Sequence, residues 1–452
     1  MITSQSLSTI DEKAEMYKSN VYNSPSEYDN SLTTYYVSSY GDDLNDGTSP
    51  ECPWKTINRV NRQEISGKTN ILFLRGCKWR GKINCKSNVT YSAYGNIEDG
   101  KPIIMGSTQN YADTSLWEAT DRPYIYHCTK KLGNVGIIAL DHCLNQSSFP
   151  GCSEIVAIKK LNNNLENDLE FYSDLSTNDL YIFSFFGNPG RRFLSIEIGE
   201  RCHIFTVSDH DNVTIDNFDL RYSGGHAISG SGGTENLTVR NCCVSWVGGS
   251  VHTGLGDGKS IQYGNAVEIY GPLNGFYVYN NYIREIYDTA ITFQFSVLDA
   301  SIFMSNIDFH HNLVERCHWS IEWYNTPTPG YVRKVTNVHI HDNILRFGGY
   351  GWGSRYRRRR AALGQSCKLP ETTDNFVFEN NIFDRCTGVL ISVHTGGDRL
   401  IDFRHNTFVQ VKDRDFYETV NDEIIPTDED TFAALIDNFH TDPELIIVDH
   451  ES

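Results

Sequence analysis

The sequence has little that would place it in a membrane or on a nucleic acid. No run of 18 apolar residues occurs in its 452 positions, so no segment reads as a transmembrane helix. The opening stretch MITSQSLSTIDEKAEMYKSN has neither a basic start nor an apolar block. It does not read as a secretory signal, and residues 1–33 read as a flexible polar leader. Lys and Arg are outnumbered, leaving a net charge of −18. That lacks the basic footprint nucleic acid requires, and it would repel an anionic polysaccharide unless a cation or a local basic patch intervened. None of the 12 cysteines forms a CxxC pair, so a zinc site of that kind lacks support.

What is present is repetition. Seven segments share one pattern of apolar, any, apolar, then a polar stretch usually holding Asn, then apolar. They are VTIDNFDL (213–220), LTVRNCCV (237–244), FYVYNNYI (276–283), IDFHHNLV (307–314), VHIHDNIL (338–345), FVFENNIF (376–383) and IDFRHNTF (401–408). The spacings of their last residues are 24, 39, 31, 31, 38 and 25. A constant short strand joined by turns of variable length is the signature of a β-solenoid, in which each coil packs only on its neighbours. The fold expected is all-β: a single-stranded right-handed parallel β-helix over residues 34–410, with an irregular β-rich insertion at 110–190 and a C-terminal cap or tail at 411–452. In this register Asn281, Asn312, Asn343, Asn381 and Asn406 fall at one position, which predicts an Asn ladder at a coil corner. Cys317 and Cys386 also share a position, two coils apart. That is about 9–10 Å, too far for a disulfide, so buried free thiols are expected.

The stretch YYVSSYGDDLNDGTSPECPWKTI (35–57) resembles the opening strand of pectate-lyase-like β-helix proteins. It matches at Tyr36, Val37, Ser38, Gly41, Asp43, Asn45, Asp46, Gly47, Thr48, Pro53, Trp54, Lys55, Thr56 and Ile57. The resemblance continues through FLRGCKWRGKI (73–83) and the coils. It implies the β-helix fold and a polysaccharide or oligosaccharide partner, in a superfamily of lyases, glycoside hydrolases, epimerases and tailspikes. It does not choose among them: neither a calcium-and-arginine lyase constellation nor the paired Asp of polygalacturonases is evident, and fold alone does not assign activity.

A second strand follows each aligned segment. Stacking NAVEIY (265–270), TAITFQ (289–294) and SIEWYN (320–325) on their apolar residues places Glu268, Thr292 and Glu322 on one outward stripe and Tyr270, Gln294 and Tyr324 on the next. Glu268 and Glu322 then lie two coils apart, about 9–10 Å between Cα atoms. Flexible side chains could close that to the 6.5–9.5 Å that inverting glycosidases hold between acid and base. Asp288 belongs to the intervening coil and could assist either Glu. Set against this, any one Glu on a strand is more often simply solvated.

Tyr270, Trp323, Tyr324 and Trp352 offer aromatic faces for stacking on sugar rings. His226, in YSGGHAISG, and His394, in SVHTGGD, are candidate general bases, though ordinary turn hydrogen bonds suit both. RYRRRR (355–360) is the strongest charge feature, and Arg355 and Arg357 are candidates for binding a carboxylate or sulfate. His310 and His341, near Asp308 and His339, read as a solvent-facing ladder rather than a metal site, and no metal is assigned. Asp42, Asp43, Asn45 and Asp46 resemble half a calcium loop, with an Asx-rich turn the simpler reading. No cofactor is required, and Ca2+ is the one ion left open.

The favoured reading is a carbohydrate-active protein that cleaves glycosidic bonds by acid/base hydrolysis. Catalytic candidates are Glu268, Asp288, Glu322 and His226. Binding candidates are Tyr270, Gln294, Trp323, Tyr324, Trp352, Arg355 and Arg357. The alternatives are a polysaccharide lyase, or a non-catalytic glycan-binding tailspike or adhesin, for which a trimer would be expected. An extracellular setting follows from the class and not from a signal in the chain.

Overall fold

In FYVYNNYI the side chains of Phe276 and Val278 are fully buried while Tyr277 and Tyr279 are half-buried. That period-two burial belongs to a strand with one face in a core, and LTVR (237–240), IDFH (307–310), VHIH (338–341) and IDFR (401–404) repeat it. The computed structural model describes residues 4–141, 155–252, 261–295, 299–357, 360–370, 372–393, 400–418, 424–428 and 444–449. His394 therefore lies outside the described residues.

The strands assemble into three long sheets, each of ten strands among the described residues. One coil runs through all three: Val213–Asp216 in the first sheet, Asp219–Arg221 in the second and Ile228–Ser231 in the third. Within each sheet the next coil pairs in parallel, as Val213 does with Leu237 and Ile228 with Val267. Only the last pair of the third sheet is antiparallel. The molecule is a right-handed parallel β-helix.

The corner between the first and second sheets carries the Asn ladder. The Nδ2 of Asn281 donates to Asn312 Oδ1 at 3.0 Å, Asn312 to Asn343 at 2.9 Å, Asn343 to Asn381 at 2.9 Å and Asn381 to Asn406 at 3.0 Å. All five side chains are fully buried. The residue before each rung is left-handed, with φ between 50° and 54° at Asn280, His311, Asp342 and His405 and 55° at Asn380. Asn and Asp tolerate that geometry better than most residues. Cys317 and Cys386 are buried free thiols.

Residues 4–33, expected as part of a flexible leader, pack on the coils instead. Helix α1 (Ser4–Tyr22) buries Ile10, Ala14, Tyr17 and Val21 against Cys243, Tyr282, Leu313, Ile344 and Ile382 on the outer face of the second sheet. The boundary at 410 also moves. Asp415–Glu418 extends the third sheet and Glu444–Val448 the second, because Phe416, Tyr417, Ile446 and Val448 supply buried apolar residues for further turns of the stack. An insertion leaves the coil after Ile103–Met105 of the second sheet and returns at Phe205–Thr206 of the third. It forms an antiparallel three-stranded sheet and a mixed five-stranded one, in which Ile158–Lys160 pairs in parallel with Glu170–Ser173, with a separate core around Trp117, Phe171 and Ile182. Near the N-terminus the Asp43 carboxylate accepts from the backbone of Lys55 and Thr56 and from the Thr56 hydroxyl, so it ties down the first turn.

Candidate active site

All the large excursions of the described chain that flank the third sheet leave from one corner, between the second and third sheets. They are the insertion, the hairpin pairing Ser250–Val251 with Gln262–Tyr263, and the turn at 349–361. They rise beside the outward stripe of the third sheet, whose register is Ser229, Glu268, Thr292, Glu322 and Gln365. Neighbouring strands lie about 4.8 Å apart, so Glu268 and Glu322 are separated by about 9.6 Å between Cα atoms. Tyr270, Gln294 and Tyr324 form the adjoining outward column, all half-buried.

On the other side of the stripe stands a column that extends each strand towards the corner: His203, His226, Asn265, Thr289 and Trp319. Its side chains are chained to its backbone. The His226 N–H donates to His203 Nδ1 at 3.1 Å, the Asn265 N–H to His226 Nδ1 at 2.9 Å and the Thr289 N–H to Asn265 Oδ1 at 2.9 Å. Because His226 Nδ1 accepts, its proton sits on Nε2, which lies 3.1 Å from Glu268 Oε2. Burial pushes the His226 imidazole down to about 3, against the pull of Asp288. His226 is therefore neutral and stands beside Glu268, and with Nδ1 occupied and the imidazole pushed down by burial its setting does not suit the general-base role expected of it. Asn265 Nδ2 donates to the same Glu268 oxygen.

Glu322 is held by three donors on Oε2: Thr289 Oγ1 at 3.0 Å, Thr292 Oγ1 at 3.3 Å and Gln294 Nε2 at 2.9 Å. That leaves Oε1 as the oxygen to carry a proton. Asp288 pairs with Arg357, whose Nη1 lies 2.6 Å from Oδ1. The guanidinium also covers the Trp319 ring at 4.4 Å and the Tyr287 ring at 5.8 Å. Burial raises the Glu268 carboxyl to about 7, with the Asp288 charge adding to it and the Asn265 hydrogen bond opposing it. Burial raises Glu322 further, to about 8, again helped by Asp288. Burial, with the charge of a carboxylate paired to an arginine added to it, thus keeps a proton on both neighbours into the neutral range.

The structure brings Glu268, Asp288, Glu322, His226 and Arg357 together and sets Tyr270, Gln294 and Tyr324 beside them. Two aromatic candidates fall elsewhere. Trp323 is fully buried in the core, edge-on to Phe376 at 5.4 Å. Strand alternation forces this, since Glu322 points out and its neighbour must point in. Trp352 packs on Tyr287 at 5.3 Å and donates Nε1–H to the Glu285 carbonyl at 2.9 Å. It anchors the turn that delivers Arg357. The side chain of Arg355 and residues 358 and 359 lie outside the described residues.

Sequence reasoning missed His203, Asn265, Thr289 and Tyr263. Tyr263 receives the Arg201 Nε–H at 2.8 Å and meets the His226 ring edge-on at 5.0 Å. Asn265 and Thr289 were findable, because each stands three residues before a stripe position, as His226 stands three before Ser229.

No family model matches the chain. A stretch of 97 residues, 19% of the chain, is 36% identical to a lacto-N-biosidase of Bifidobacterium longum subsp. longum, of whose length it spans only 6%. Among solved structures the chain is similar to a GH136 lacto-N-biosidase from Eubacterium ramulus, at 13% identity and a TM-score of 0.40 over 92% of this chain and 68% of that one. It is also similar to XylC in complex with xylose, at 11% identity and a TM-score of 0.46 over 92% and 82%. A Yersinia enterocolitica family 28 exopolygalacturonase matches at 10% identity and a TM-score of 0.38 over 92% and 78%. The coil stack rests on the strand pairing itself and needs none of these likenesses.

Proposed function

We propose that the protein hydrolyses a glycosidic bond of an oligosaccharide or polysaccharide bound along the outer face of the third sheet. The observation that carries this reading is the split among three converging carboxyl groups: Asp288 paired with Arg357, Glu268 raised to about 7 and Glu322 raised to about 8. Glu322 is the general acid and delivers its proton from Oε1 to the leaving oxygen. Glu268, held by Asn265 and standing 3.1 Å from His226 Nε2, serves as the base that activates water. Asp288 adds its charge to the burial that holds the proton on Glu322. A Cα separation of about 9.6 Å between the two Glu suits the wider carboxyl spacing of inverting enzymes. Tyr270 and Tyr324, at the edge of the stripe, are the rings placed to contact sugar.

The 97-residue likeness to a lacto-N-biosidase supports an oligosaccharide as substrate. Elimination is less well served. A lyase needs a free cation or a base for the proton it abstracts, whereas Arg357 is engaged by Asp288 and burial pushes the His226 imidazole down to about 3.

The test is turnover of an oligosaccharide panel. Hydrolysis releases reducing ends without the ultraviolet absorbance of an unsaturated product, and proton NMR of the first product shows the inverted anomer. Unsaturated product would replace this reading with elimination. Binding without cleavage of any sugar would replace it with a glycan-binding role.

A further inference from the structure

The first sheet carries a cluster on its outer face that the proposed chemistry does not use. Asp308 and His339 are register partners on adjacent strands, and His310 pairs with His341 in the next outward row. Outward neighbours on one strand stand about 6.6 Å apart along the chain. The rings of His339 and His341 nevertheless lean together to 4.0 Å between centroids, 24° from parallel. One donor atom from each of Asp308, His339 and His341 falls within 4.8 Å of the others.

Carboxylates fix the imidazoles from outside. Asp342 holds His341 Nδ1 at 2.7 Å, and Glu379 holds His339 Nε2 at 3.1 Å. Such pairing sets which ring nitrogen is left for a ligand and raises its basicity. Asp308 Oδ1 is shielded from solvent and lies 3.2 Å from His341 Nε2. A shielded anionic oxygen set against an imidazole nitrogen is a pair of ligand atoms that one cation would satisfy together.

We propose that Asp308, His339 and His341 form a site for a divalent transition ion of the zinc type, clamping two adjacent coils together. Two imidazoles and one carboxylate suit borderline ions such as Zn2+ or Co2+ and not Ca2+, which takes oxygen ligands. His339 and Asp308 keep 43% and 37% of their side-chain surface exposed, so water completes the coordination. The clamp lies next to the docked helix, where Tyr17 stacks on His311 at 5.9 Å and its hydroxyl donates to the Asp342 carbonyl at 2.9 Å.

The test uses the full chain stripped with a chelator and titrated with Zn2+ in a calorimeter, with Co2+ as an absorbance reporter. One Zn2+ per chain is expected, with a rise in Tm and visible Co2+ bands. His341→Ala and Asp308→Asn should each weaken binding at least tenfold and abolish the Co2+ bands while circular dichroism stays unchanged. His127→Ala, in the insertion, should leave binding intact. No uptake by the wild type, or uptake that survives both site variants, overturns the proposal.

Discussion

Replacing Asn312 by Ala removes one rung from the middle of the buried ladder. Four side-chain hydrogen bonds go with it. Oδ1 accepts from the Asn281 backbone at 3.2 Å and from Asn281 Nδ2 at 3.0 Å, and Nδ2 donates to the Val278 carbonyl at 2.8 Å and to Asn343 Oδ1 at 2.9 Å. At a net worth of about 1 kcal/mol each the loss is about 4 kcal/mol, and the buried Asn281 N–H loses its acceptor. Asn306 is the control. It belongs to an exposed column, donates to Asn274 at 2.8 Å, accepts from Asn337 at 3.3 Å and has a φ of 57°. Its two exposed bonds count for little, so Asn306→Ala should cost about 1–2 kcal/mol, mostly from placing Ala in left-handed backbone. Urea titration followed by tryptophan fluorescence measures both. If Asn312→Ala shifts the midpoint no further than Asn306→Ala does, the buried ladder is not what holds that corner.

Further consequences concern the carboxyl cluster, the corrected tryptophan and the helix. Activity should rise as Glu268 ionises near pH 7 and fall as Glu322 loses its proton near pH 8; Asp288→Asn should move both limbs of the pH–rate profile down, and unchanged limbs would remove Asp288 from the account. The folded Glu322 value of about 8 exceeds the ordinary 4.5, so its stabilising contribution is complete below the ordinary value and is lost as pH rises through about 8. Glu322→Gln should therefore gain stability relative to the wild type between about pH 5 and about pH 9, which thermal melts across that range would read. Trp323→Ala should cost about 3–5 kcal/mol by opening a core cavity, while Trp323→Phe should leave KM unchanged. Ile10→Ala should lower stability by about 2 kcal/mol, measured by the same urea titration, whereas a truly flexible leader would show no effect.

The stripe and the ladder were legible in the sequence because strands alternate in and out. Once one apolar residue in each coil is aligned, Glu268, Thr292 and Glu322 must share a face, and five Asn must share a corner. The same rule would have sent Trp323 inward. Grouping it with the surface aromatics weighed residue type above position. Helix α1 was also readable: Leu7, Ile10, Ala14, Tyr17 and Val21 recur at steps of three and four, the stripe of an amphipathic helix, but the polar average of the segment concealed it. The Asp288–Arg357 pair was not readable. It depends on how a turn of unpredictable length folds back over the corner, and no local pattern encodes that path. The neutral state of His226 was equally hidden, because it follows from burial at a corner that no local pattern encodes.

The most direct test of the central claim is turnover of one cleaved oligosaccharide by the wild type, Glu268→Gln and Glu322→Gln near pH 7.5, with substrate binding measured in parallel. Loss of the acid or the base should lower kcat by about 10²–10⁴ in each variant, with sugar binding retained. Full turnover by either variant would contradict the assignment of that residue, and full turnover by both would place the chemistry elsewhere on the molecule.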